Sequence, residues 1–174
     1  MMKKSILTVI AVLAIGFFSN RTFAQAATPA PAGDLVVTLS GNADYNVAAA
    51  LIRAANLGAT LKGAGPYTII APSNIAFSTM SSAKLDSLMA DPAKLAAVLK
   101  GHIITGKFDK AELIKTLGSG TPTLPTIDGS KLTLSVTDKH LTFTDSQGNH
   151  ASVIAFDILA TNGVIIGIDG VLAK

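Results

Sequence analysis

Three histidines are the side chains best suited to acid–base or metal chemistry, but their spacing does not fit a metal site. His102, His140 and His150 lack the short spacing of a zinc-binding helix. His140 and His150 could flank one hairpin, but two histidines without a placed third ligand make a poor site. The single glutamate, Glu112, is explained as a helix cap, and no carboxylate pair stands out for glycosidase chemistry. We therefore expect no metal and no other cofactor.

Two further catalytic patterns are absent or incomplete. Residues 101–108, GHIITGKF, are close to a phosphate-binding loop, but Phe108 has no hydroxyl for Mg²⁺ and a helix is predicted before the segment. There is no Gly-x-Ser-x-Gly nucleophile elbow, and the absence of cysteine excludes a thiolate nucleophile and a disulfide framework. The sequence therefore predicts a protein that is not an enzyme. The remaining enzymatic alternative is a hydrolase using His102 with a neighbouring Asp and Ser.

The N-terminal residues have the layout of a secretory signal peptide. Lys3 and Lys4 precede a mostly apolar core at residues 6–18, and small residues suited to cleavage follow at Ala24 or Ala26. The core is too short to anchor comfortably in a membrane, and no later segment is long and apolar enough to span one. We expect residues 1–24 to be removed and the protein to be exported to the periplasm, the cell surface or the medium.

The charge balance argues against nucleic acid as a partner. The chain has 174 residues, 49% of them hydrophobic, and a net charge of +3. Lys3, Lys4 and Arg21 supply that excess, so removing residues 1–24 leaves 11 of the 14 basic residues against 11 acidic ones. Binding to DNA or RNA needs a surplus of Lys and Arg on one face. The high apolar fraction also excludes a disordered chain.

A single α+β domain is predicted over residues 34–174, after a short Ala/Pro linker at residues 25–33. Its first half favours helices, with one strand at residues 67–70. The first helix is predicted to follow a cap at Asn42 or Asp44 and to run to about residue 55. Further helices are predicted at residues 74–80, 82–89, 92–100 and 110–117, the last with Leu113, Ile114 and Leu117 facing inward.

The second half of the domain favours strands. Leu132, Leu134 and Val136 alternate with polar residues, and further apolar runs follow to residue 166. Turns are predicted at Asp128-Gly129, Asp138-Lys139, residues 147–149 and Asn162-Gly163. The succession of helices and then strands predicts a mainly antiparallel sheet.

Three segments resemble the signatures of the fasciclin-like domain family. Residues 67–77, YTIIAPSNIAF, are similar to its first signature, a strand and an Ala-Pro turn before a helix that carries a Phe. Residues 99–107, LKGHIITGK, are similar to its central Tyr-His segment, and residues 160–172, ATNGVIIGIDGVL, to its closing signature. Gly101 stands where the family usually has Tyr, and Ile166 where it usually has His.

The resemblance implies a wedge of mainly antiparallel β-sheet packed with several short helices. In animal members, the Tyr-His segment and an Asp-Ile pair ahead of the closing signature are proposed integrin contacts. The corresponding residues here are His102, Asp157 and Ile158, which are therefore the candidate partner-binding residues. The residues around His102 favour a different role for it, as a half-buried hydrogen-bonding side chain.

Five other motif residues are predicted to have structural roles. Pro72 should fix the turn after the first strand, and Phe77 should pack in the core beneath that strand. Asn162 and Gly163 should supply the positive φ of the turn before the last strand. Asp169 should accept backbone N–H bonds that hold the terminal turn.

Two functions remain after these exclusions. The leading hypothesis is an exported, non-catalytic module for cell adhesion or extracellular-matrix or surface interaction, with a protein or glycan partner. The alternative is a periplasmic or extracellular carrier of a small apolar ligand, which the low aromatic content of 5% and the many Leu, Ile and Val residues would suit.

Overall fold

The structure is a computed structural model that describes residues 31, 33–63, 65–120 and 122–172. The predicted signal peptide lies outside the described residues, as do residues 25–30 and 32 of the predicted linker. Gly33, the last linker residue, is bonded to the domain, because its carbonyl oxygen accepts a hydrogen bond from the Thr161 amide at 2.9 Å. In the described ranges, no helix has both the length and the apolar character needed to cross a membrane.

Helices occupy most of the first half of the described chain. Side-chain caps explain where four of them start, because Asp34, Ser73, Asp91 and Asp109 each accept hydrogen bonds from first-turn amides. The bounds are α1 Leu35–Ser40, a 3₁₀ turn Ala43–Tyr45, α2 Asn46–Ala54, α3 Gly58–Leu61, α4 Asn74–Ser78, α5 Ser82–Ala90, α6 Pro92–Lys100 and α7 Lys110–Gly118.

The first helical region differs from the predicted single helix that begins after Asn42 or Asp44 and runs to about residue 55. Asn42 caps the 3₁₀ turn, and α2 begins only after it, at Asn46. The sequence does not predict α1 or α3. Leu35 and Leu39, one turn apart in α1, are fully buried, but six residues are too short a window for helical periodicity to stand out.

Seven strands of the described chain form one mixed sheet. Their bounds are β1 Tyr67–Pro72, β2 Ile103–Thr105, β3 Thr123–Pro125, β4 Lys131–Thr137, β5 His140–Thr144, β6 His150–Ala160 and β7 Gly163–Ile168. The spatial order is β2-β1-β7-β6-β5-β4-β3, in which β1 and β7 are parallel and the other neighbours are antiparallel. The predicted α+β class with a mainly antiparallel sheet is confirmed.

The neighbouring parallel strands β1 and β7 are buried on both faces. Ile69 and Ile165 pack with α1, α2 and α6 in one cluster, which we call the helix-side core. Ile70 and Ile166 point the other way and pack in a second cluster with Leu113 of α7 and residues of β4–β6. Burial on both faces explains why these strands are continuous apolar runs rather than alternating ones.

The turn between β6 and β7 corrects the prediction for Asn162 and Gly163. Neither residue has a positive φ. A Cβ on Gly163 would overlap the carbonyl oxygen of Tyr67, so glycine is required by the close approach of β1. Asn162 instead links helices, because its Oδ1 accepts the Leu35 amide at 2.9 Å and its Nδ2 donates to the carbonyl oxygen of Leu61.

Candidate partner-binding surface

His102, a candidate partner-binding residue, lies in the interior where α6 leads into β2. It is 2% exposed. Its Nδ1 lies 2.9 Å from the carbonyl oxygen of Val98, and its Nε2 accepts a hydrogen bond from the Leu172 amide at 3.1 Å. The residue is therefore fully buried rather than half-buried, and in this fold its ring is not on a surface that a partner could touch.

Burial also decides the charge of His102. Loss of hydration disfavours the imidazolium form and lowers the pKa of the side chain below its usual range. The Val98 carbonyl and the carboxylates of Asp145 and Asp128 favour the charged form but do not reverse the shift. The ring is therefore neutral at pH 7.

Asp157 and Ile158 lie where β6 departs from regular pairing with β7. The register shifts twice between residues 153 and 158. Asp157 has a φ of 56°, and its Oδ1 accepts a hydrogen bond from the amide of Lys110, the first residue of α7, at 2.8 Å. Ile158 pairs with Ile165 and packs partly against the helix-side core. Asp157 therefore lies at the junction of β6 and α7, Ile158 faces the helix-side core, and the hydrogen bonds of His102 run to α6 and the C-terminal segment.

An open groove of about 450 Å³ lies beside that junction, between α7, the β4–β5 hairpin and β6. We call it the α7 groove. Its lining residues are Lys110, Ile114, Leu117, Val136, Lys139, His140, Leu141, Val153 and Phe156.

The two most exposed apolar side chains of the α7 groove are Ile114, at 57%, and Val136, at 61%. The sequence predicts Ile114 to face inward and places Val136 in the alternating apolar series of Leu132 and Leu134. Leu113, also predicted to face inward, is fully buried, and its neighbour Ile114 is exposed because consecutive helical residues point about 100° apart. Val136 lies on the same face of β4 as buried Leu134 but near the hairpin end of the strand, where α7 covers the sheet only in part.

A second cleft, of about 310 Å³, lies where α4 and the 3₁₀ turn approach β6. We call it the Ile75 cleft. Ile75 is 75% exposed and Ile154 is 54% exposed, and Asp44 lies in the same lining. β6 thus contributes to both surfaces, with Val153 and Phe156 in the α7 groove and Ile154 in the Ile75 cleft.

The segment with the partial phosphate-loop pattern forms β2 and the turn that follows it. Thr68 of β1 holds this turn, since its Oγ1 donates to the Gly106 carbonyl at 2.7 Å and accepts the Phe108 amide at 2.9 Å. Over residues 33–63, 65–120 and 122–172, every fully buried side-chain N or O atom has a hydrogen-bond partner. In the same residues, no group of three His, Asp or Glu side chains is placed to hold a metal ion. The buried polar groups described are therefore used in the fold.

The Fasciclin domain family model matches residues 43–174. The chain belongs to the fasciclin domain family. This fasciclin domain is 33% identical to protein sll1483 of Synechocystis over 150 residues, which are 85% of this chain and 77% of that protein. It is 31% identical over 118 residues to the cell surface glycolipoprotein MPB83 of Mycobacterium bovis, across 67% of this chain and 47% of that protein.

Among solved structures, the fasciclin domain resembles the FAS1 domain pair of the insect cell adhesion molecule fasciclin I. The TM-score is 0.68 at 16% sequence identity, with 83% of this chain and 52% of that chain covered. At this identity the likeness concerns the fold. The chain spans about half the length of both that structure and MPB83.

The first and closing signature segments of this fasciclin domain contain the neighbouring parallel strands β1 and β7, and the central segment contains the edge strand β2. Pro72 ends β1 opposite Ile168 of β7, and Phe77 of α4, 7% exposed, packs in the helix-side core. Asp169 follows β7, where its Oδ1 accepts the Ser152 amide at 2.7 Å and its own amide donates to the Ser152 carbonyl at 3.0 Å. These contacts pin the terminal turn to β6.

The α7 groove is the feature of this fasciclin domain that the sequence does not predict as a site. Two patterns in the sequence point toward it. Ile114 directly follows Leu113 and so cannot share its face of α7. Lys139 and His140 stand between apolar residues at the tip of a predicted hairpin, where exposed charge and apolar side chains meet.

Proposed function

We propose that this chain is an exported, non-catalytic fasciclin module that binds a protein or glycan partner at a cell surface or in an extracellular matrix, through the α7 groove. The observation that carries the proposal is the open apolar lining of this groove, with Ile114 and Val136 more than half exposed. The name of MPB83 places that relative at the cell surface, which supports export of this chain as well.

The α7 groove differs from ordinary surface in that its apolar side chains are contiguous. Isolated exposed apolar residues are common on proteins, whereas grouped ones mark interaction sites. The walls are also held in place, because Leu113 anchors α7 in the core and Asp157 bonds its first amide. A preformed groove lowers the entropy that a partner must overcome on binding.

The shape of the groove favours a macromolecular partner over the carrier alternative. Small-molecule sites usually surround most of the ligand surface. The α7 groove and a cleft of about 400 Å³ beside Asn162 are both open to solvent, and either would leave one side of a small apolar ligand in water. A larger partner supplies the missing cover itself.

Retention of surface components by immobilised protein of residues 25–174 tests the proposal. The test variant carries Ile114→Gln and Val136→Gln, and the matched control Ile75→Gln removes an exposed isoleucine from the Ile75 cleft. We expect one component of the solubilised surface fraction to be retained by the wild type and the control. The groove variant should retain it on the order of tenfold less. Protease or periodate treatment of the fraction then assigns the component as protein or glycan. Equal retention by all three proteins would contradict the proposal.

Export is tested separately by fractionating the producing cells and measuring the intact mass of the protein. We expect a mass that corresponds to cleavage after Ala24 or Ala26, in the envelope or the medium. A full-length chain in the cytoplasm would exclude the proposed site of action.

A further inference from the structure

The titratable side chains that line the α7 groove are all basic. They are Lys110, Lys139 and His140, and no carboxylate is among the lining residues. The chain without residues 1–24 has equal numbers of acidic and basic residues, so this excess is local. An apolar floor beside two ammonium groups is complementary to a ligand that is both apolar and anionic.

Four carboxylates lie close to these lysines in sequence or in the fold but outside the groove lining, so the charged groups that an occupant would contact directly are the lysines. The Oδ1 atoms of Asp109 and Asp157 accept amides at the start of α7, at 3.0 and 2.8 Å. Glu112 pairs with Lys115 at 3.3 Å on exposed helix surface. Asp138 precedes Lys139 in the hairpin turn and does not line the groove.

Both lysines extend from regular backbone, Lys110 from the start of α7 and Lys139 from a hairpin turn. The Nζ of Lys110 lies 5.4 Å from the centre of the Phe156 ring, a distance at which a cation is attracted to an aromatic face. Lys139 is the second residue of a two-residue hairpin turn in which Asp138 and Lys139 have φ values of 51° and 66°. The two positive charges are thus carried by α7 and the β4–β5 hairpin, the elements that flank the apolar lining of the groove.

We propose that the occupant of the α7 groove is an acidic amphipathic segment of a partner protein. Its Leu, Ile or Phe side chains cover Ile114 and Val136, and its Asp or Glu side chains reach Lys110 and Lys139. This inference rests on the proposed function and narrows the partner to a protein of stated chemistry. A fatty acid combines the same two properties, but in an open groove its chain would stay half in water, whereas a protein segment is covered by the body to which it belongs.

Two short synthetic peptides test the inference. They share the same Leu and Phe positions, and all remaining positions are Glu in one peptide and Lys in the other. Oleate is the third probe. Each is titrated into ¹⁵N-labelled protein of residues 25–174 at low and high salt. We expect the acidic peptide to bind more tightly than the basic one and to weaken with salt. The amide shifts should be confined to α7, the β4–β5 hairpin and β6.

Charge variants provide the decisive comparison. Lys110→Gln with Lys139→Gln should weaken acidic-peptide binding on the order of tenfold. Lys62→Gln with Lys84→Gln, which changes two lysines outside the groove lining, should leave binding unchanged. Equal binding of both peptides, shifts outside the groove, or tighter binding of oleate than of the acidic peptide would overturn the inference.

The natural partner separates this inference from the proposed function. If retention of a natural component needs Ile114 and Val136 but not Lys110 and Lys139, the inference of an acidic segment is wrong, whereas the proposed surface-binding function is still supported. If the acidic peptide binds in the groove but no natural component is retained, the proposed surface-binding function is contradicted. The inferred preference of the groove for an acidic apolar segment is then still supported.

Discussion

The backbone amide of Leu172 donates a hydrogen bond to Nε2 of His102 at 3.1 Å, across 70 positions of the chain. Nε2 therefore carries no proton, so the proton is on Nδ1, which donates it to the Val98 carbonyl oxygen at 2.9 Å. The neutral ring thus joins the end of α6 to the segment after β7. A protonated ring could not accept the Leu172 amide, so this link is sensitive to acid.

We expect the free energy of unfolding to fall as the pH drops below about 6.5, the ordinary pKa of histidine. Because burial lowers the pKa of His102 in the folded protein, the unfolded chain takes up the proton first and acid favours unfolding. The neutral His102 ring contributes its full stabilisation above a pH of about 6.5. That stabilisation decreases as the pH falls, until the pH reaches the lowered pKa of the folded protein. Urea unfolding at a series of pH values measures it. His102→Gln should have a flatter profile over that range, and identical profiles would argue against the link.

Gly163 is the position where we expect the smallest substitution to have the largest effect. The methyl group of Gly163→Ala would overlap the Tyr67 carbonyl oxygen and force β7 away from β1. We expect a loss of more than about 3 kcal/mol in the free energy of unfolding, since backbone cannot yield as a side chain can. Gly118→Ala is the control. Apart from its chain neighbours and the backbone of its own helix, no atom lies within 4 Å of the added methyl, and alanine in a helix should stabilise by up to about 1 kcal/mol. Chemical denaturation of both variants measures the difference, and a stable Gly163→Ala protein would refute the overlap.

The longer elements of the fold could be predicted because their sequence patterns are local. Asp91 and Asp109 mark the starts of α6 and α7, and the alternation in β4 and β5 is visible over several residues. The three-residue strands β2 and β3 could not be predicted in this way. β2 is a strand because Ile103 and its neighbours pair with β1, more than thirty positions earlier, and local patterns do not contain that partner.

The α7 groove was harder to predict because segments distant in sequence build it. The irregular stretch of β6 around Asp157 places Phe156 beside Lys110, and the sequence offers only an Asp-Ile pair at this point. The Asn162-Gly163 pair shows a related limit. The Asn-Gly pair correctly predicts a chain reversal. The same dipeptide occurs in turns that need a positive φ and at sites where another strand packs closely, and the sequence does not distinguish the two.

Asn162→Ala should loosen the attachment of α1 and α3 to the turn before β7. It removes the acceptor of the Leu35 amide and the donor to the Leu61 carbonyl. Leaving these groups without partners should cost about 2–3 kcal/mol. Hydrogen exchange should show the loss of protection at the Leu35 amide first. The neighbouring Thr161→Ala, at an exposed position, should change stability by less than about 0.5 kcal/mol. Unchanged exchange at Leu35 would exclude this role for Asn162.

Phe77 and Ile75 allow a test of the first signature within a single turn of α4. Phe77 is 7% exposed in the helix-side core, whereas Ile75 is 75% exposed. Phe77→Ala should lower the free energy of unfolding by about 3–5 kcal/mol, because it leaves a cavity where α4 packs on the core. Ile75→Ala in the same helix should change it by less than about 0.5 kcal/mol. Thermal and urea unfolding of the two variants give the comparison. Similar losses in both would mean that α4 contributes through its helical propensity rather than through the buried ring, and the signature Phe would then lose its role as the anchor of this helix.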